Sequence, residues 1–183
     1  MNNFRKIEKF EFNQYWYSDA TITAIITEIV SLKPIRVAFL STPSLFAALV
    51  AHGIPCDVFD LDPDVSAGIA DSRNRYIRYD YSNPIMSHDF DNMYDVVVID
   101  PPFISKEVLE RYAVTTAQIK MHAARIIVSS VIENDSILCK CFGPIRPVPF
   151  KPSIPNLIYQ YSLFVNYEIA IDSPLGVMNP AVL

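Results

Sequence analysis

Six residues, Tyr94–Ile99 (YDVVVI), limit this chain more than any other stretch. A run this continuously apolar suits a strand covered on both faces, the situation of a parallel sheet enclosed by helices. The flanking sequence supplies partners of the same kind. Residues 35–40 (IRVAFL), Cys56–Asp60 (CDVFD), 76–79 and 125–130 (RIIVSS) read as further strands, rich in β-branched and aromatic side chains.

Helical patterns separate them. Over residues 18–32, Ile22, Ile25, Ile26 and Ile29 fall on one face of a 3.6-residue period, with Ser18 or Asp19 as cap and Pro34 as stop. Residues 43–52 read as a helix opened by Pro43 and closed by Gly53. Residues 105–123 contain helix-compatible sequence, firmest over 106–112, and another helix is predicted near 132–139. The ending differs. Residues 145–150 and 157–167 read as two strands whose connection, stiffened by prolines 144, 147, 149, 152 and 155, leaves no room for a helix. Alternating units closed by a hairpin predict an α/β fold: a mostly parallel sheet with one antiparallel edge. Ligands of such sheets bind beyond the carboxyl ends of the strands, near the reversal of strand order. That directs attention to Ser41–Ser44, Asp60–Asp62, Asp80–Tyr81 and Asp100–Phe103.

A length of 183 residues suits one domain, with residues 1–11 as a charged tail and 12–183 as the folded unit. Four glycines and fourteen scattered prolines exclude collagen and coiled coil. The longest apolar stretch, 37–51, is broken by Ser41, Thr42, Pro43 and Ser44 and is short for a membrane span. The first residues, MNNFRKIEKFEF, show no signal-peptide core, so a soluble cytoplasmic protein is expected. Cys56, Cys139 and Cys141 read as small buried strand residues; with His52, His88 and His122 unpaired in spacing, no metal site is expected. The net charge of −5 weighs against nonspecific nucleic-acid binding. One basic stretch, with Lys140, Arg146 and Lys151 and no acid from 136 to 167, is either a solvated face or a dock for an acidic protein surface.

Asp100-Pro101-Pro102-Phe103 closes the best strand. The carboxylate can accept hydrogen bonds from an amine, two prolines remove competing N–H donors, and the ring offers an apolar face for a base or an alkyl-ammonium. Carboxylates ordinarily titrate near ~4, so Asp100 is expected to orient an amine rather than act as a strong base.

This tetrapeptide resembles the Asp/Asn-Pro-Pro-aromatic signature of amino-group methyltransferases with the class I S-adenosylmethionine-dependent fold. Residues 14–19 (QYWYSD), 36–38 (RVA), 41–44 (STPS), 79–84 (YDYSNP) and 164–167 (FVNY) stand around it in one order. That order is similar to the eukaryotic elongation factor 1-alpha lysine methyltransferase family, once grouped as N(6)-adenine-specific DNA methyltransferase-like. The resemblance spans roughly residues 12–168. Phe103 departs from it, because the family usually has Tyr there; the face of the ring is kept and the hydroxyl lost.

The resemblance implies a Rossmann-like, seven-stranded, mostly parallel sheet with a C-terminal antiparallel hairpin and helices on both faces. It also implies S-adenosyl-L-methionine as cofactor, S-adenosyl-L-homocysteine as product and no metal. Asp100, Pro101, Pro102 and Phe103 would serve the amine. Ser41, Thr42, Pro43 and Ser44 would replace the usual glycine-rich cofactor turn, or simply cap a helix. Asp60 would bind the ribose, with Asp62 as fallback; Asp80 and Tyr81 would meet the adenine, or else form a turn. Trp16, Tyr17 and Ser18 would lie over the cofactor, or staple the first helix to the core. Asn156 would stand on the substrate side. The implied activity is lysine methylation of elongation factor 1-alpha. The alternatives are an N(6)-adenine methyltransferase and a non-catalytic binding module of the same fold.

Overall fold

A computed structural model describes residues 8–69 and 71–182. Its strands are β1 (Val37–Leu40), β2 (Cys56–Asp60), β3 (Arg75–Arg78), β4 (Tyr94–Ile99), β5 (Lys120–Ser130), β6 (Arg146–Pro147) and β7 (Ser162–Val165). The helices are α1 (Asp19–Ser31), α2 (Pro43–Val50), α3 (Lys106–Ile119) and α4 (Asp135–Phe142). The strands form a seven-stranded sheet in the order β3-β2-β1-β4-β5-β7-β6. The first five run parallel and β7 lies antiparallel to both β5 and β6. Strand order reverses between β1 and β4.

The period-two alternation of strand side chains divides the core into two layers. Val37, Phe39, Val58, Val96 and Val98 face α1 and α2. Ala38, Leu40, Phe59, Val97 and Ile99 face α3 and α4. This is why β4 is apolar from Val96 to Ile99: both of its faces are covered there. Ser18 caps α1, its Oγ accepting from the Thr21 amide.

The amino ends of the strands carry a charge lock absent from the sequence reading. Buried Asp57 accepts two hydrogen bonds from Arg36, at 2.9 and 2.7 Å, a further pair from Arg75 and one from Tyr94 Oη at 2.6 Å. Burial raises its pKa, but the three donors outweigh that cost and leave the carboxyl below its ordinary range. On the buried face of α1, Glu28 accepts from Tyr167 Oη and Ser173 Oγ, tying the C-terminal stretch to the first helix.

The hairpin is shorter than its sequence suggests. β6 spans two residues because Pro147 and Pro149 lack the amides a longer ladder needs, although Val148 still donates to Leu163. β7 begins only at Ser162, leaving 157–160 as a loop. Of the cysteines, Cys56 is a buried strand residue as expected. Cys139 and Cys141 instead lie on α4, exposed and half-buried.

Candidate active site

The carboxyl ends of β1 to β4 converge on a cleft of about 330 Å³, roofed by residues 11–17 and by the loop around 154–161. The chain approaching α1 is not a free tail. Lys9 Nζ pairs with Asp62 at 2.7 Å and Asp64 at 2.9 Å. Glu8 accepts from the Trp16 amide and from Asn156 Nδ2. Asn13 Nδ2 donates to the Pro102 carbonyl. Residues 8–17 thus form a strap pinned at both the β2 end and the 154–161 loop.

At the end of β1 the turn works without glycine. Ser41 takes a left-handed φ of 56°, and its Oγ lies 2.6 Å from Tyr112 Oη. Thr42 is buried, and its Oγ1 has no hydrogen-bond partner among the described residues. Pro43 opens α2, whose first turn, with Ser44, faces the cleft. Asp60 ends β2, buried; burial pushes its carboxyl up to about 6, despite a 2.8 Å bond from the Asp62 amide. Asp62 lines no part of the cleft and is engaged by Lys9 and by its own turn.

Asp80 does form a turn, accepting from the Ser82 amide at 2.9 Å, and still lines the cleft. Tyr81 stacks on Tyr112 with centroids 6.2 Å apart and meets Phe103 edge-on. Trp16 lies in the roof with its buried Nε1 unpartnered among the described residues. Ser18, like Asp62, is absent from the lining, its hydroxyl and amide being used by Thr21 and Ser153.

Asp100 sits at the reversal point, its amide donating to the Leu40 carbonyl. Burial lifts its carboxyl to about 7; the Tyr17 and Ser129 hydroxyls act in the opposite sense. Tyr161 also feels this group, its hydroxyl pushed up to about 12 by burial and by the Asp100 charge. Tyr17 belongs with this acid rather than with the β2 side. Asn13, Tyr112, Ser129 and Tyr161 were not singled out from the sequence.

The buried acid at β2, the α2 N-terminus and two orphaned donors, on Thr42 and Trp16, fit a ligand with ribose hydroxyls, an anionic end and ring nitrogens. Among the described residues no three His, Cys, Asp or Glu side chains gather to hold a metal. No helix of the described residues is long and apolar enough to cross a membrane. Lys140, Arg146 and Lys151 line neither this cleft nor the groove beside it, and Arg146 is paired with Glu168.

A sheet of this order, with its antiparallel seventh strand and a cleft at the reversal point, defines the class I methyltransferase fold. The chain superposes on the Burkholderia thailandensis 1,6-didemethyltoxoflavin-N1-methyltransferase, solved with S-adenosylhomocysteine, with a TM-score of 0.57. Identity there is 15%, with 80% of this chain and 77% of that one covered. The chain belongs to the family described as "Probable N6-adenine methyltransferase", whose model matches residues 8–169. It is 28% identical over 177 residues to the EEF1A lysine methyltransferase 1 of Gallus gallus, covering 90% of this chain and 78% of that one. A protein-lysine N-methyltransferase of Dictyostelium discoideum is 24% identical, with 91% and 81% covered.

Proposed function

We propose that this protein is an S-adenosylmethionine-dependent protein-lysine N-methyltransferase acting on translation elongation factor 1-alpha, with residues 12–183 as its single catalytic domain. The observation that carries the reading is Asp100: a carboxyl at the reversal point that lines the cleft together with Tyr17, Tyr161 and Phe103, its pKa raised. Relatives across nearly the whole chain are named for lysine methylation, several of them for EEF1A. A substrate of the translation machinery goes with a cytoplasmic location.

When bound, the cofactor supplies an electrophilic methyl on a sulfonium, open to in-line attack. Asp60 would hold its ribose, Asp80 and Tyr81 its adenine, and the Ser41–Ser44 turn its carboxylate. Asp100 accepts N–H bonds from the incoming amine and directs the nitrogen lone pair along the line of transfer. The surrounding aromatic rings exclude water, which lowers the lysine pKa and favours the neutral, nucleophilic amine. Asp100, lining the cleft, would accept the proton that the amine gives up on methylation. Alignment of the two reactants supplies most of the acceleration, up to ~7–11 kcal/mol of the barrier.

The net charge of −5 and the uncharged surroundings of the amine side give little grip on a phosphate backbone. Transfer of labelled methyl to purified elongation factor 1-alpha, with adenine-containing DNA alongside, tests the choice. Label on a lysine of the protein is the predicted result. Label on DNA would replace the substrate while keeping the chemistry. A protein with no thermal shift in S-adenosylhomocysteine would be a binding module instead.

A further inference from the structure

Next to the cofactor cleft lies a second groove of about 320 Å³. The two share Asn13, Tyr15, Pro102, Phe103, Leu157 and Tyr161, so they are continuous around the Asp100 end of the site. The outer groove is walled by residues 156–159 and, among the described residues, no charged side chain lines it. Its wall carries large apolar side chains held out in solvent: Ile158 is 88% exposed, Tyr159 63% and Phe103 49%. Asn156 is fixed by Glu8 of the strap, which anchors this wall.

We infer that this outer groove seats the stretch of substrate protein bearing the target lysine and selects uncharged, apolar residues beside that lysine. The inference rests on the lysine reading above and names what surrounds the lysine. A lysine reaches inward on a four-carbon stem, so the chain that delivers it to Asp100 must lie against the surface where the cleft opens. That surface is the groove. Exposed Ile and Tyr at a site entrance gain free energy when a partner covers them, and an aromatic at the centre of such a contact commonly dominates it. Charged neighbours of the lysine would be stripped of water there with no partner of opposite sign. The basic stretch at 140–151, the dock suggested by sequence, lies outside both clefts.

Steady-state kinetics on purified elongation factor 1-alpha, with Ile158→Asp and Tyr159→Ala compared to wild type, test this. Each variant is expected to raise KM for the protein about tenfold and leave kcat within about twofold. Affinity for S-adenosylhomocysteine should be unchanged, and Ile158→Leu should restore KM. Unaltered KM in both variants, with wild type active, would overturn the groove and leave the lysine reading standing. A wild-type enzyme that binds S-adenosylhomocysteine yet methylates no lysine of this protein would overturn both, before any variant is made.

Discussion

Ser129 lies beside Asp100: the ladder pairs Ile99 with Val128, and each of the two polar residues follows by one position. Ser129 is 2% exposed, its hydroxyl buried beside the acid. Its hydroxyl favours the charged form of the acid, opposing the effect of burial. Ser129→Ala should therefore push the Asp100 pKa further above 7. The acidic limb of kcat/KM against pH should move to higher pH, with little change in S-adenosylhomocysteine affinity. Identical pH profiles for variant and wild type would show that Ser129 is packing alone.

An acid whose pKa is raised on folding costs stability wherever it is ionised. Asp100 titrates near 7 when folded, against ~3.9 when unfolded, so the native state holds its proton more tightly. Its contribution is greatest below about pH 4 and is lost as pH rises through 7. Asp100→Asn should remove this loss. Relative to wild type, the variant should gain roughly 1–2 kcal/mol between pH 5 and pH 8, a shift of about 2–8 °C in Tm. That figure lies well below the full shift, because the residue is only half-buried as a whole. Parallel Tm curves for the two proteins across this range would contradict the assignment.

Ser41 does the work of the missing glycine at a left-handed φ of 56°. Such a conformation costs an ordinary residue ~1–2 kcal/mol, while the Tyr112 contact returns about 1 kcal/mol. Ser41→Gly should thus be neutral to within about 1 kcal/mol in urea unfolding. Ser41→Val, β-branched and without the hydroxyl, should lose ~2 kcal/mol or more and weaken S-adenosylhomocysteine binding. Equal stability of the Gly and Val variants would remove strain from the account.

Lys9 fastens the strap to Asp62 and Asp64, two and four residues beyond Asp60. With Lys9→Met the strap keeps its Glu8 and Asn13 contacts but loses the pin at the β2 end. Stopped-flow displacement should show S-adenosylhomocysteine leaving several-fold faster from the variant. Added salt should speed release from wild type more than from the variant, since the pair is partly exposed. Equal release rates would mean the strap does not retain the cofactor.

The central strands were legible because their signals are local. β2 and β4 begin and end where the sequence places them, and Ser18 and Pro43 mark the starts of α1 and α2. Asp60, Asp80 and Asp100 were legible as strand-end acids for the same reason. What escaped depends on partners distant in sequence. Lys9 reads as part of a tail until Asp62, 53 positions on, is brought beside it. Asn13 carries no local signal for the Pro102 carbonyl. Ser129 did: a polar pair closing the apolar run Ile126–Val128, next to the strand that Asp100 follows. Glu168, one residue past the acid-free stretch, is what engages Arg146.

The most direct measurement compares wild type with Asp100→Ala in single-turnover transfer of labelled methyl to elongation factor 1-alpha, with S-adenosylhomocysteine affinity measured on the same samples. Transfer lost by about a hundredfold or more in the variant, with affinity held within a few-fold, is the predicted result. Transfer and affinity falling together would show that Asp100 holds the cofactor rather than the amine, and the account of the site would fail.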